Sequence, residues 1–152
     1  MTCEIRLTRA VGLPVILGER LVGHVERAAL TPDGRHLSGL VIRRGMGGAR
    51  WVSREMISIL GNVSVVLQQA PTHLPKDAGT PPYRVTDETG LTLGRVTDAW
   101  LRADTLETAA LEVSLGPIED LRRGRLRVRR WDAQAGNSCQ IRIGRNEWEV
   151  LT

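Results

Sequence analysis

The sequence predicts an all-β protein made of two tandem small β-barrels that are related by an internal repeat, each with one short helical turn. Three observations support this prediction: one pattern that occurs twice, aliphatic runs with period-two alternation in each copy, and a proline-rich segment between the copies. The 152 residues suffice for one domain or two very small ones, and 41% hydrophobic with 25% charged residues is typical of a globular chain.

The internal repeat is visible as three pairs of aligned segments. They are LVGHVERAAL (21–30) with TLGRVTDAWL (92–101), GLVIRRG (39–45) with ALEVSLG (110–116), and RWVSREMISILG (50–61) with RLRVRRWDAQAG (125–136). Gly23 aligns with Gly94 at an offset of 71 residues, and the second pair keeps that offset. The third pair has an offset of 75, which predicts a four-residue insertion in the second copy, near PIEDLRRG (117–124).

The segment between the copies, APTHLPKDAGTPP (70–82), contains four prolines among 13 residues. Proline has no amide proton to donate and it fixes φ, so this segment is predicted to run extended rather than to pair into a sheet. The predicted organisation is therefore a first repeat at 1–70, a proline-rich linker at 71–82 and a second repeat at 83–152.

Each copy has candidate strands that turn residues interrupt. HLSGLVIRR (36–44) and TLETAALEVSL (105–115) are rich in aliphatic residues and partly alternate, which predicts strands. TPDG (31–34) predicts a turn, since Pro and Asp favour its early positions and Gly accepts a positive φ. WVSREM (51–56) predicts the end of a strand followed by a short helical turn, with Ser53 as its N-cap.

Gly23 and Gly94 lie inside predicted strands, each two residues before a valine. Glycine within a strand often marks a bend, a bulge or the close approach of another backbone. Small barrels need such bends in order to close, so we expect both glycines to lie where a sheet curls.

Three stretches of the first copy together resemble the PRC-barrel family, the small β-barrel first described in the H subunit of photosynthetic reaction centres. They are GERLVGHV (18–25), TPDGRHLSGLVI (31–42) and WVSREMISILG (51–61). The second copy matches well in its first half, through Gly94, Val96, Asp98 and Gly116, and loosely in its second half. The resemblance covers roughly four-fifths of the chain and consists of glycine and aliphatic positions.

The resemblance implies a six-stranded barrel-like sheet for each copy. A similar domain forms the C-terminal half of the ribosome maturation factor that binds a small-subunit protein. Members of the family act as docking modules or as parts of larger assemblies, and no catalytic residues are associated with the fold. The resemblance therefore predicts an architecture and carries over no active site, because fold alone does not decide function.

A small barrel buries a low fraction of its surface and leaves sheet edges open, which a second copy can cover. We therefore predict that the two copies pack as a pseudo-twofold pair, like a covalent dimer. The flanking runs CEIRLT (3–8) and NEWEVL (146–151) also alternate. They are predicted either to pair with each other or to complete the barrels.

The sequence predicts neither an enzyme nor a metal or organic cofactor, because no cluster of His, Cys, Asp or Glu has metal-site spacing and no nucleophile–base arrangement stands out. Cys3 and Cys139 lie in alternating runs, which predicts small buried thiols. No apolar run approaches the roughly 20 residues that a membrane-spanning helix needs. No signal-peptide pattern begins the chain, so we expect a cytoplasmic protein without a membrane span.

The stretch LRRGRLRVRRW (121–131) contains six arginines and no acidic residue. If it forms a strand, its arginines share one face and its aliphatic residues the other. One interpretation is a contact surface for a partner or a polyanion, formed by Arg122, Arg123, Arg125, Arg127 and Arg129. The other is a solvated outer face, which Arg50 and Arg54 at the aligned positions of the first copy favour.

Two functions follow from these observations. The first is a non-enzymatic interaction or assembly module with a protein partner of unknown identity, self-association included. The alternative is an RNA- or ribosome-associated factor that uses the arginine-rich strand 122–130. The net charge of +4 and the pI near 10 suit a polyanion but do not require one.

Overall fold

Strands account for most of the chain, so the predicted all-β class is confirmed. The computed structural model describes residues 3–76, 83–133, 140–144 and 148–151. The strands are β1 (Glu4–Arg6), β2 (Pro14–Leu17), β3 (Arg20–Leu30), β4 (Leu37–Arg43), β5 (Ala49–Ser53), β6 (Ile57–Leu60), β7 (Val65–Leu67), β8 (Arg84–Thr86), β9 (Thr92–Arg102), β10 (Thr108–Ser114), β11 (Leu126–Val128), β12 (Asp132–Ala133), β13 (Gln140–Arg142) and β14 (Trp148–Val150). The helices are α1 (Leu7–Ala10), a 3-10 turn (Arg54–Met56) and α2 (Pro117–Arg123).

The strands form two curled sheets, each resembling half of a barrel. The first sheet has the order β5-β4-β3-β2-β7-β6, and the second repeats it as β11-β10-β9-β8-β13-β12. In both sheets one neighbouring pair is parallel, β2 with β7 and β8 with β13, and the other pairs are antiparallel. The second sheet also contains β14, which pairs with β11, and β1, which pairs with β9.

The backbone irregularities repeat as well. Glu26 in β3 is an extra residue in the pairing with β4, and Thr97 in β9 is an extra residue in the pairing with β10. These two bulges lie 71 residues apart, the offset that the glycines predict. A bulge bends a strand and increases its twist, so the same curl is built into both halves.

The predicted alignment of the third segment pair is wrong by one residue. Val52 lies opposite Leu40 in the first sheet, and Val128 lies opposite Leu111 in the second. Because Leu40 and Leu111 are equivalent, the offset on this strand is 76 rather than 75, and five residues are inserted. A slip of one residue moves every side chain of a strand to the other face, so Arg127 is the equivalent of Trp51.

The helical turns only partly follow the prediction. The 3-10 turn begins directly after Ser53, but the side chain of Ser53 makes no capping hydrogen bond. In the second half the helix is α2, and it lies within the insertion rather than after the strand. The sequence pattern missed α2 because its apolar residues do not face the core.

The two sheets share one hydrophobic core. Val15, Leu40 and Val52 of the first half and Val85 and Leu111 of the second are almost fully buried within the same cluster. Each sheet resembles half of a barrel, and buried residues of both sheets belong to one cluster. Burial of aliphatic surface from both halves is therefore the main stabilising contribution to the fold.

The turns that follow β3 and β9 meet in the pattern that a pseudo-twofold axis requires. The contacts are an isolated bridge between His36 and Glu107, a hydrogen bond of 2.9 Å from the Leu37 N–H to the Leu106 carbonyl, and one of 2.8 Å from the Thr108 N–H to the Arg35 carbonyl. The repeat offset relates Arg35 to Leu106 and Leu37 to Thr108. Each hydrogen bond is therefore the symmetric counterpart of the other. This contact has the self-complementary form of a symmetric dimer interface, as predicted.

The flanking runs do not pair with each other. Glu4–Arg6 joins β9 and Trp148–Val150 joins β11, so both extend the second sheet. Cys3 is exposed, so the prediction of a buried thiol at this position is wrong, because the run begins at the edge of the sheet. Cys139 and the first two residues of the run 146–151 lie outside the described residues.

The predicted linker is described only up to residue 76, and Pro81 and Pro82 lie outside the described residues. Contrary to the prediction, it makes one local β-contact. The N–H groups of Thr72 and Trp51 each donate to the other residue's carbonyl, at 2.8 and 2.9 Å. This bridge covers part of the free edge of β5.

Gly23 and Gly94 lie where another strand approaches closely, which is one of the three alternatives that a glycine within a strand indicates. A Cβ on Gly23 would lie 3.0 Å from the carbonyl oxygen of Arg43, and Gly23 has a φ of +154°. A Cβ on Gly94 would overlap the carbonyl oxygen of Ser114, the equivalent of Arg43. The absence of a side chain thus permits the same tight strand contact in both sheets.

We expect Gly94→Ala to lower the free energy of unfolding by about 1–3 kcal/mol, the usual cost of inserting a methyl group into a closed space. Chemical denaturation measures the change. Gly48→Ala is the control, because no heavy atom lies within 4 Å of its Cβ position and its φ is not positive. Equal stability of the two variants would contradict a close strand contact at Gly94.

We expect residues 1–76 expressed alone not to form a stable monomer, because they lack the part of the shared core that the second sheet contributes. Analytical ultracentrifugation and thermal unfolding would detect aggregation or the loss of a cooperative transition. Co-expression with residues 77–152 is expected to restore both. A monomeric fragment that unfolds cooperatively would show that the shared core is dispensable.

Candidate interaction surface

The arginine-rich stretch forms the end of α2, a short loop and β11. Leu126 and Val128 are buried and Trp131 is 6% exposed, so the predicted inward face of this strand is confirmed. The arginines do not form one continuous surface, however. Each has a different environment, which decides whether it is available to a partner.

Arg127 lies on the outer face of the second sheet, stacked on Trp100. Its guanidinium carbon is 4.5 Å from the centroid of the indole ring. Its Nε atom is buried and has no hydrogen-bond acceptor among the described residues. A guanidinium packed against an aromatic face is held by cation–π attraction and by its apolar stem, so Arg127 acts as a packing residue.

The two halves place their outer-face tryptophan on different strands. In the first sheet Trp51 of β5 packs on Ala29 and Val41. The equivalent positions in the second sheet hold Arg127, Trp100 and Glu112, as the strand register shows. The second half thus has charged residues where the first has a small apolar cluster.

Arg6 of β1 connects these charged residues. Its Nε donates to Asp98 Oδ2 at 2.9 Å, and its NH2 donates to Glu112 Oε2 at 2.7 Å. Arg6 also lies over Trp100, at 4.9 Å from the ring centroid. The Asp98 and Glu112 side chains are only 2% and 6% exposed, so Arg6 supplies the positive charge that such buried carboxylates need.

Asp98 receives further donors from the start of α1. The Thr8 backbone N–H and hydroxyl donate to its two oxygens at 3.2 and 2.8 Å. The N-terminal segment is therefore tied to the second sheet by strand pairing, by ion pairs and by these two hydrogen bonds. Charge-assisted hydrogen bonds of this kind are about twice as strong as neutral ones.

Arg125 is also engaged within the protein. It lies 3.6 Å from Glu112 Oε1 and 3.4 Å from Asp120 Oδ2. The Ser114 hydroxyl, followed by the Leu115 N–H and the Arg125 guanidinium, holds the pKa of Asp120 below its ordinary value against the opposing effect of desolvation. Asp120 is thus a carboxylate at neutral pH, and with Arg125 it fastens α2 to the sheet.

The outer side of α2 is apolar. Ile118 and Leu121 are 71% and 89% exposed, and no residue of the helix is buried. Arg122 and Arg123 are also exposed, and within the described residues their ion pairs are with Glu119, at 3.8 and 3.5 Å. Exposed pairs of this kind contribute little to stability, so both guanidinium groups remain accessible.

Arg129 is exposed and has no ion pair within the described ranges of the chain. The predicted set of five therefore divides into two groups. Arg125 and Arg127 serve the internal network, whereas Arg122, Arg123 and Arg129 face solvent. The one-residue register correction also removes Arg50 and Arg54 as counterparts of these arginines, so their basic character belongs to the second half alone.

A cleft of about 600 Å³ lies on the same outer face, between the strands and α2. Its basic residues are Arg84, Arg95 and Arg125, and its hydroxyl residues are Thr92, Thr97 and Ser114. Asp120 and Pro117 line it from the side of α2. The cleft joins residues of two strand hairpins and the insertion, so sequence spacing could not bring it together.

Arg6, Trp100, Asp98 and Glu112 were missed by sequence reasoning as a group. Glu112 did carry a signal, because it interrupts a run of aliphatic residues in a predicted strand. Arg6 carried none, since nothing in the sequence relates it to residues about one hundred positions away. Strand pairing between β1 and β9 is what unites them.

No family model matches this chain, and no curated protein is significantly similar to it. Within the described ranges, no group of three or more His, Cys, Asp or Glu residues is arranged to hold a metal ion. Among the described helices none is long and apolar enough to cross a membrane.

We expect Arg6→Ala to destabilise the protein by roughly 3 kcal/mol, the lower end of the cost of breaking a buried ion pair, because Arg6 itself is partly exposed. The loss arises because Asp98 and Glu112 stay buried without their shared cation. Urea denaturation at pH 7 measures it. Arg9→Ala is the control, since Arg9 is exposed and has no ion pair with any described residue; an equal effect of both changes would exclude a specific role for Arg6.

Proposed function

We propose that this protein is a non-enzymatic assembly module of the PRC-barrel type, which binds a protein partner through α2. The partner presents an apolar site with an acidic rim. The apolar site accepts Ile118 and Leu121, and the rim pairs with Arg122 and Arg123. Two observations support this proposal: the resemblance to docking modules, and the exposure of the apolar side of α2 to solvent.

The orientation of α2 is the observation that carries the proposal. A surface helix normally turns its apolar side toward the core and its polar side toward water. Here the polar Asp120 holds the helix against the sheet, through Ser114 and Leu115, at 2.5 and 3.0 Å. Ile118 and Leu121, one helical turn apart, point into solvent.

The location of α2 supports the same conclusion. The insertion that contains α2 is present in one half only, so the basic two-sheet architecture does not require it. Exposed apolar side chains rimmed by charge are typical of protein–protein contact sites. A helix of seven residues offers a small contact area, which suits a weak or regulated association.

The arginine environments favour a protein partner over RNA. RNA binding through 122–130 would require its arginines to meet phosphates together. Arg125 is paired with two carboxylates and Arg127 is stacked on Trp100. Trp131 is buried, so it offers no ring on which a base could stack.

The test compares Ile118→Gln/Leu121→Gln with the wild-type protein. Affinity capture from nuclease-treated lysate first identifies a partner, which is then purified and titrated against both proteins. We expect the double substitution to weaken binding by about tenfold or more, as when buried apolar anchors are removed from an interface. Met46→Gln/Val63→Gln is the matched control, because it removes two exposed apolar side chains from the first half.

Two results would contradict the proposal. Equal affinity of the purified partner for the α2 variant and the control variant would remove α2 from the interface. Capture that nuclease abolishes, and that Arg122→Gln/Arg123→Gln weakens while the apolar substitutions do not, would instead favour an RNA-associated factor. Self-association that depends on Ile118 and Leu121 would identify a second copy of the chain as the occupant.

A further inference from the structure

We propose that the cleft beside α2 binds a phosphate group of a soluble small molecule through Arg84 and Arg95. This site is separate from the apolar side of α2, and its argument does not depend on the proposed protein partner. Three features of the structure lead to this proposal. Arg84 and Arg95 form a couple without ion pairs to described residues, the first half has no such couple, and a cleft lies in front of the two arginines.

Arg84 and Arg95 lie directly opposite each other on the antiparallel strands β8 and β9. Both are exposed, both line the cleft, and neither has an ion pair with any residue that the structure describes. Like charges directly opposite each other destabilise a strand pair. A bound dianion would convert this repulsion into attraction to both guanidinium groups.

The fold does not require the arginine couple. The strand register makes Pro14 and His24 the first-half counterparts of Arg84 and Arg95. The same two strands are therefore paired in the first half without two opposed cations. The fold alone therefore does not explain why the second half has two opposed arginines at this position.

The same comparison explains the space in front of the couple. In the first half the outer face holds an ion pair in which Arg43 Nε lies 3.1 Å from Glu26 Oε1. The equivalent residues in the second half are Thr97 and Ser114, whose side chains are short. The cleft of about 600 Å³ lies where the first half has its ion pair.

The lining suits a phosphate ester. Guanidinium groups bind phosphate oxygens through paired N–H donors, and the hydroxyls of Thr92 and Thr97 line the same cleft. The third arginine, Arg125, and Asp120 are paired with each other at 3.4 Å, so Asp120 does not cancel the charge of the couple. A volume of about 600 Å³ is within the usual range for small-molecule sites, roughly 300–1,000 Å³.

The test titrates the full chain with inorganic phosphate at constant ionic strength, balanced with chloride, and follows the arginine Nε–H signals by NMR. We expect Arg84→Gln and Arg95→Gln each to weaken phosphate binding by about tenfold or more, because a charge-assisted contact is lost. Arg102→Gln is the control. Arg102 is exposed at the other end of β9 and is free of ion pairs within the described part of the chain.

A second variant tests the cleft and leaves Ser114, which holds α2 through Asp120, unchanged. Thr97→Glu places the carboxylate of the first-half ion pair beside the arginine couple, where it is expected to pair with a guanidinium and block phosphate binding. Without phosphate, Arg84→Gln and Arg95→Gln are expected to unfold at the same or a higher temperature than the wild type, because a repulsion is removed. If these arginines had a structural role, each substitution would lower the unfolding temperature instead.

Three results would overturn the proposal. One is the same phosphate response for the wild type, the couple variants and the Arg102 control, which means nonspecific anion screening. Another is undiminished binding by Thr97→Glu. The third is binding to vesicles of phosphatidic acid and phosphatidylcholine with no response to soluble phosphate, which would identify a lipid headgroup as the ligand.

Discussion

The constraint on which this structure depends is that its two sheets share one hydrophobic core. Aliphatic residues of both sheets, among them Leu40 of the first half and Leu111 of the second, belong to one core. This requirement explains why the turns at His36 and Glu107 pair across a pseudo-twofold axis. It also explains why β1 can cross from the first half to the second sheet, since the halves form one packed body.

The repeat provides a comparison within a single molecule. Both halves have the same order of six strands and a bulge at Glu26 and Thr97, so side-chain differences at equivalent strand positions do not come from the strand backbone. The first half carries a small apolar cluster around Trp51 and an exposed ion pair. The second half has buried carboxylates, a cleft and an extra helix. We therefore expect the functional surface to lie on the second half, because its outer face carries features that the first half folds without.

Much of the fold was predictable because it follows from local rules. Period-two alternation indicates strands. Glycine has no side chain, which permits the close strand contacts at Gly23 and Gly94. The alignment of β11 failed because Arg127 and Trp51 are chemically unlike, although their strand positions match. The network around Arg6 was not predictable, because its members lie far apart in sequence and meet only through strand pairing.

The sequence by itself determined the duplicated all-β architecture, the insertion in the second copy and the inward face of Leu126 and Val128. Tertiary structure alone decided which arginines are free, because that depends on whether a carboxylate or an indole ring lies within reach. Arg127 lies against Trp100, whereas Arg84 and Arg95 face each other across a cleft. Alternation specifies the face of a sheet on which a side chain lies, but only the packed fold specifies its neighbours.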